Sequence, residues 1–331
     1  MKNKLIVGID VSKNTLDVSF YKSNISFQVT NNPEGFVKLL QHSVQISGKP
    51  RDLLHFCFEN TGCYCRQLCV FLQDAGVSFS TLDALDLKRS MGLTRGKSDK
   101  KDASKIAQYA YRRKEDLICS KMPAPSLDQL KALLSHRELL IKHRTALKNA
   151  NKGFYDCYTE TEYKFIKDAQ IRIIHLLSDE INQVETQILS LIKANPALYK
   201  NYNLLLSIKG IGKILAAYFI SITHNFTRFE NPRKFACYAG IAPFEYSSGS
   251  SVKGRTKVHP CANKQIKSLL NMAAMAAIQL HGEYQLYYSR RLAIGKNKMS
   301  TLNIIRNKLV FRAFAIVRRG TPYVDLSRFA A

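Results

Sequence analysis

Four carboxylates stand where they could share a metal ion. Asp10 interrupts the apolar run of Leu5, Ile6, Val7 and Ile9, and a carboxylate buried there is costly unless a cation compensates it. Glu59 closes a second apolar run, LLHFCFE over Leu53–Glu59. Asp99 and Asp102 are three residues apart where a polar stretch enters a helical pattern, a spacing that puts both on one side of a helix. Oxygen-only ligands suit Mg²⁺, and a two-metal clamp of this kind stabilises the attacking and leaving oxygens of a phosphoryl transfer. Taken singly, each acid has a plainer use, Asp10 as a turn cap and Asp99 and Asp102 as charges favoured at a helix N-terminus.

A second chemistry lies in the later part of the chain. Phe235–Gly254 reads FACYAGIAPFEYSSGSSVKG, with Lys253, Arg255 and Lys257 beside its Ser/Gly run. Such a run serves as a flexible loop, or else supplies a serine nucleophile whose phosphodiester target is stabilised by the neighbouring cations. The residues alone do not choose among Ser247, Ser248, Ser250 and Ser251. Upstream, Leu204–Ala216 carries Lys209, Gly210, Gly212 and Lys213 between two apolar helical runs. This is the pattern of a helix-hairpin-helix, in which glycines let backbone amides approach a phosphate and a helix N-terminus adds its dipole. Arg290, Arg291, Lys296 and Lys298 surround Gly295, with Tyr284, Tyr287 and Tyr288 close by, a composition suited to stacking plus phosphate contact.

The elements that must position these groups follow from periodicity. Leu5–Ile9 and Leu16–Phe20 read as a hairpin turning at Ser12-Lys13-Asn14, with Ile25–Val29 as a third strand. Leu53–Glu59 and Val77–Leu82 read as further strands, Gly35–His42 and Tyr64–Ala75 as helices. Thr94–Lys101 reads as a loop feeding a helix over Asp102–Arg112. Met122–Pro125 is a linker. Leu127–Tyr155 and about Glu162–Ala194 read as long helices, the second with a heptad seam at Ile174, Leu177, Ile181, Val184, Ile188 and Leu191. That seam suits either the preceding helix or another subunit. Pro196 is expected to stop the helix, and Gln265–Leu280 and Met299–Val317 read as later helices. The organisation expected is α/β over 1–122, a coiled-coil helical hairpin over 123–196, and a helical domain over 197–331.

The chain has 331 residues with 50 Lys and Arg against 25 Asp and Glu, a formal charge of +25. From Pro196 to Ala331 there are 21 Lys and Arg against only Glu230, Glu245, Glu283 and Asp325, a formal +17. Such an imbalance points to a polyanionic partner. No signal peptide and no membrane-length apolar run is read, so a cytoplasmic protein is expected. Of eight cysteines, Cys57, Cys63, Cys65 and Cys69 cluster without a CxxC pair or a neighbouring histidine, which favours free thiols over a zinc site.

GIDVSK around Asp10, FENTG around Glu59 and the Asp-x-x-Asp of Asp99 and Asp102 resemble the DEDD transposases of the insertion-sequence-110 (IS110) family, with the Piv-type DNA invertases as relatives. The Ala239-Gly240-x-x-Pro243 block, the aromatic after it and the Ser-Gly-Ser-Ser run resemble the family's second block. The resemblance implies a RuvC-like, ribonuclease-H-type domain with Asp10, Glu59, Asp99 and Asp102 as Mg²⁺ ligands. It implies Ser248 as the nucleophile, with Ser247 standing where the family commonly has an acid. It also implies donor and target DNA, a structured noncoding bridge RNA, a dimer that pairs into a tetramer through the long helices, and a bacterial or archaeal, nucleoid-associated setting. The rivals are a DNA invertase of the same family, a metal-only junction nuclease of RuvC type, and a nucleic-acid-binding protein without catalysis.

Overall fold

A computed structural model describes residues 4–23, 25–90, 99–155, 160–248, 252–258 and 262–325. The chain forms two compact units, Met1–Met122 and Pro123–Ala331.

The first unit is built on a five-stranded sheet of order β3-β2-β1-β4-β5. Its strands are β1 (Leu5–Val11), β2 (Thr15–Phe20) and β3 (Ser26–Thr30), then β4 (Leu54–Glu59) and β5 (Ser78–Leu82). β1, β2 and β3 form an antiparallel meander, whereas β1, β4 and β5 run parallel. Helix α1 (Pro33–Ser47) starts with Pro33 in its first turn and Asn32 as cap, whose Oδ1 accepts from Gly35 N at 2.8 Å. Helices α2 (Arg66–Asp74), α3 (Ala84–Ser90) and α4 (Asp99–Arg112) complete the unit. Alternation along the strands sorts side chains to two faces. Val7, Ile9, Leu16 and Val18 pack with Phe36 and Leu39 of α1 and with Leu68 and Leu72 of α2. Ile6 and Cys57 pack on the opposite face with Ile106 and Ala110 of α4 and Leu87 of α3.

Three features add to or change the reading of the residues here. α4 begins at Asp99 rather than Asp102, so both acids lie within its first turn. Asp17 and Ser19, the polar residues that alternate with Leu16, Val18 and Phe20 in β2, are both buried. Helix α3 is an element the residue pattern did not signal.

His55 of β4 is also fully buried. Its Nδ1 and Nε2 each lie 2.9 Å from a hydroxyl, Ser78 Oγ and Ser80 Oγ respectively. Burial, reinforced by the Lys4 ammonium, pushes the imidazole down from 6.5 to about 4. Below its ordinary value the unfolded chain takes up a proton that the folded chain refuses. Stability is therefore full above pH 6.5 and falls towards pH 4, by about 3 kcal/mol in all for this one group. Urea unfolding of the chain and of His55→Gln at both ends of that interval checks this, the variant losing that part of the slope.

The second unit carries α5 (Pro125–Tyr155), α6 (Glu160–Lys193), α7 (Pro196–Leu206), α8 (Lys213–Thr223) and α9 (Pro232–Tyr238). A two-stranded hairpin of β6 (Pro243–Ser248) and β7 (Val252–Val258) follows, and then α10 (Lys264–Gln279), α11 (Glu283–Ala293) and α12 (Lys298–Arg319). α5 and α6 pair antiparallel within the chain. Arg137 meets Glu185 at 2.7 Å, Arg144 Nη1 donates to Ser178 Oγ at 3.3 Å, and Tyr163 OH donates to Asn151 Oδ1 at 3.4 Å. Of the seam residues, Ile181, Val184 and Ile188 are buried, the latter two in a core shared with α5, α7, α8, α10 and α12. Pro196 opens α7 instead of merely stopping α6, because Asn195 caps the new helix through Ala197 N and Leu198 N. The Ser/Gly run is not simply a loop either: Ser247 and Ser248 belong to β6, while Gly249, Ser250 and Ser251 lie outside the described residues.

Candidate functional site

The parallel register fixes the first two acids. Gly8 pairs with Cys57 and Ile9 with Phe58, so Asp10 and Glu59 are the next neighbours at the carboxyl ends of adjacent strands, about 4.8 Å apart along the hydrogen-bonding direction. Both continue the alternate positions of Ile6 and Cys57, which face α4. Glu59 has no ion-pair partner among the described residues.

α4 brings its own acids to that face. It lies so close to β1 that a Cβ on Gly8 would stand 2.3 Å from Ala103 O and 2.5 Å from Ala107 N. Ile6 packs with Ala110, Gly8 abuts Ala107 and Ala103, and so the helix runs antiparallel to β1 with its first turn towards the Asp10 end. Asp99 and Asp102 are the first and fourth residues of that turn. Asp102 Oδ1 accepts from Lys105 Nζ at 2.7 Å, and the Asp99 side chain lies outside the described ones. Gly8→Ala is expected to force α4 off the sheet, costing about 1–3 kcal/mol as an overpacked contact does. A drop in urea midpoint with an unchanged m-value checks this.

One acid was missed by sequence reasoning. Asp17 stands directly across the ladder from Asp10, is buried, and accepts from Gln28 Nε2 at 2.9 and 3.1 Å. The donor set around Asp10 is therefore all oxygen and rich in negative charge, which fits a hard divalent cation better than zinc. Among the described residues no group of three or more His, Cys, Asp or Glu is arranged to hold a metal ion. Cys57, Cys63, Cys65, Cys69, Cys119 and Cys237 are free thiols.

In the second unit, Ser248 is the last residue of β6 and pairs with Val252, and Ser247 pairs with Lys253. Lys253, Arg255 and Lys257 occupy alternate positions of β7. The hairpin is anchored at its base, where Ile241 O accepts from Asn303 Nδ2 at 2.9 Å and Asn307 Nδ2 at 3.0 Å. These two asparagines, one turn apart on α12, carried no earlier assignment; their spacing was the available signal. Asn263 caps α10 through Ile266 N and donates to Tyr238 OH at 3.0 Å, while His259 lies outside the described residues.

The residues between α7 and α8 divide in use. Lys209 Nζ donates to His281 O and, at 2.8 Å, to the buried Asp325 Oδ2. Gly210, at φ 94°, backs onto α10 so closely that a Cβ would reach Ala273 O at 2.6 Å. Gly212 and Lys213 are exposed, and no side chain caps α8. The open part of this hairpin is thus Gly212, Lys213 and the first amides of α8. Arg290 and Arg291 belong to the end of α11 and not to the turn around Gly295. Tyr284 belongs to the core, so it offers no stacking face. Arg290 instead borders a groove with Tyr287, whose ring lies 3.9 Å from Lys308 Nζ.

Two family models match the chain. The DEDD-type IS110 "Transposase" family matches residues 7–158, and the "Transposase IS116/IS110/IS902 family" matches residues 202–289. The chain is 29% identical to the "Pilin gene-inverting protein" of Moraxella lacunata, over 97% of this chain and 98% of that one. The protein of the same name from Moraxella bovis is equally similar over the same shares. The "Insertion element IS110 uncharacterized 43.6 kDa protein" of Streptomyces coelicolor is 31% identical over 42% of this chain and 33% of its own length. Among the described residues no helix is long and apolar enough to cross a membrane.

Proposed function

This chain belongs to the IS110 family of transposases and is a DNA recombinase, and from that premise we propose that it cuts and rejoins DNA with Ser248 as nucleophile. The family carries an expectation of divalent metal, and we assign Mg²⁺ to Asp10, Glu59, Asp99 and Asp102 of a RuvC-like first unit. The observation that supports this reading is the convergence of Asp10, Glu59 and the first turn of α4 on one face at one end of the sheet. Bound there, Mg²⁺ would offset charge on the reacting phosphate and steady the leaving oxygen.

The chain's own groups carry the remaining steps. The Ser248 hydroxyl oxygen bonds to a DNA phosphorus, its proton passes to a nearby carboxylate or water, and the bond to the 3′ oxygen breaks. The 3′ end leaves as a hydroxyl after taking a proton. The phosphoserine keeps the energy of the phosphodiester, and a 3′ hydroxyl of the new partner reverses the step. We assign Lys253, Arg255 and Lys257 of β7 to DNA phosphates flanking the cut, Lys253 being paired with Ser247, the neighbour of Ser248. Gly212, Lys213 and the α8 amides bind backbone phosphate further away, with Arg290 and Arg291 extending the track; Lys209 and Gly210 shape the turn that presents them. In this reading the acids and the serine that act on one phosphate come from different protomers of an oligomer joined through the 123–196 helical hairpin. Phe165, Ile166, Ile173 and Leu176 of α6 are exposed apolar side chains, which supports that role. The second unit's charge supports a polyanion larger than the cut site, consistent with a bridge RNA beside donor and target DNA. The protein then works in the cytoplasm, at the nucleoid.

Transposition is our first reading. Inversion is the second, favoured by similarity to the pilin gene-inverting proteins over nearly their whole length. A plasmid carrying the DNA that flanks the gene tests both. Excised circles or insertions support transposition, and a reversed segment supports inversion. Nicking that persists in EDTA, or cleavage by Ser248→Ala without any covalent protein–DNA species, would overturn the serine-and-metal reading.

A further inference from the structure

The turn after α8 holds three consecutive non-glycine residues in the left-handed region: His224 at φ 48°, Asn225 at 56° and Phe226 at 68°. Each such residue carries a conformational cost, and such strain gathers at functional sites. Thr223 holds the turn in place. Its carbonyl accepts from Thr227 N and Arg228 N, and its Oγ1 accepts from Phe226 N at 2.8 Å. The turn forms one wall of a cavity of about 650 Å³, a size typical of small-ligand sites.

The cavity's chemistry is that of a base-stacking pocket with a cationic rim. Phe311, Phe314, Ala315 and Arg318 fall at i, i+3, i+4 and i+7 on one side of α12 and line it. Phe226 and Phe229 line it from the turn. Phe226 and Phe314 are locked edge to face at 4.9 Å, whereas Phe311 is 46% exposed and has its ring available. Arg318 and Arg319 stand at the rim, and Arg228 lies over the Phe229 and Tyr238 rings at 5.3 Å. Glu230 is the lining acid, and Lys234 Nζ neutralises it at 2.7 Å. Asn225 Oδ1 accepts from Asn201 Nδ2 at 2.8 Å, and its own amide nitrogen has no partner among the described residues, leaving a donor for a base edge.

We propose that this cavity takes an unstacked nucleobase of the DNA strand, with Phe311 as the stacking ring and Arg318 and Arg319 on the adjoining phosphates. Positive charge at the rim and an aromatic interior match a nucleotide better than an apolar peptide. The inference rests on DNA as the substrate and is independent of Ser248 and of the metal.

The test is equilibrium binding of the full chain, in EDTA so that no cleavage intrudes, to oligothymidine and to the same strand made of abasic residues. Phe311→Ala is expected to weaken oligothymidine binding roughly 5- to 150-fold and to leave abasic binding unchanged. Phe311→Tyr should restore the affinity, and Arg318→Ala should weaken both strands. Equal loss by Phe311→Ala on both strands, or loss on neither, would overturn the proposal. So would a loss confined to oligouridine RNA, or a changed sedimentation coefficient of the variant, which would give the cavity to RNA or to a second copy of the chain. Unchanged thermal melting of Phe311→Ala separates these results from misfolding.

Discussion

Ser248→Ala is expected to cut DNA strand cleavage by about 10⁴- to 10⁶-fold, the scale on which loss of a nucleophile acts. DNA affinity and thermal stability should stay where they were. The change removes one oxygen at the end of β6, and the β6–β7 pairing is a backbone matter that a hydroxyl does not govern. Asn303 and Asn307 still hold the hairpin's base at Ile241. Gel assays of cleavage and fluorescence anisotropy of binding check the two halves of this expectation. Ser247→Ala is the control. It should keep most activity, and if it instead fails while Ser248→Ala survives, the nucleophile is Ser247.

Asp10→Asn and Glu59→Gln are expected to lower cleavage beyond the roughly 100-fold typical of an outer-shell partner of a metal. Raising Mg²⁺ should recover little, since a ligand is missing and not merely competed for. Stability is expected to move the other way. Asp10 has Asp17 across the antiparallel ladder and Glu59 on the parallel side, and like charges side by side in a sheet cost some tenths of a kcal/mol to about 1 kcal/mol. Neutralising one should therefore leave the melting temperature equal or raised. A protein gaining stability as it loses activity is the signature of acids kept for chemistry. A fall in melting temperature with cleavage retained would make these acids structural.

Much of this arrangement was legible in the residues, and each exception has its own physical cause. Apolar runs ending in an acid marked β1 and β4, because a carboxylate among Ile and Phe side chains is out of place without a purpose. The pairing of Asp10 with Glu59 needed the parallel register, which no single strand discloses. The burial of Asp17 and Ser19 was not legible because alternation looks the same whether the polar face meets water or a helix; here α4 covers it. Pro196 was read as a stop, yet proline is as much at home in a helix's first turn, and Asn195 made it a start. Gly210 and Gly212 look alike in sequence, but one packs on α10 while the other stays open. The left-handed run at His224–Phe226 had no glycine to announce it, and the β6–β7 hairpin lay behind a composition that reads as loop.

The most direct measurement traps the covalent species and asks what it depends on. DNA cleavage by the wild-type chain in Mg²⁺, quenched with denaturant and digested, should yield by mass spectrometry a nucleotide adduct on Ser248 through its 5′ phosphate. The same adduct should be missing from Asp10→Asn and from wild type in EDTA. An adduct that forms undiminished without the Asp10 carboxylate or without metal would show that the acids of the first unit and the serine of the second do not act on the same phosphate.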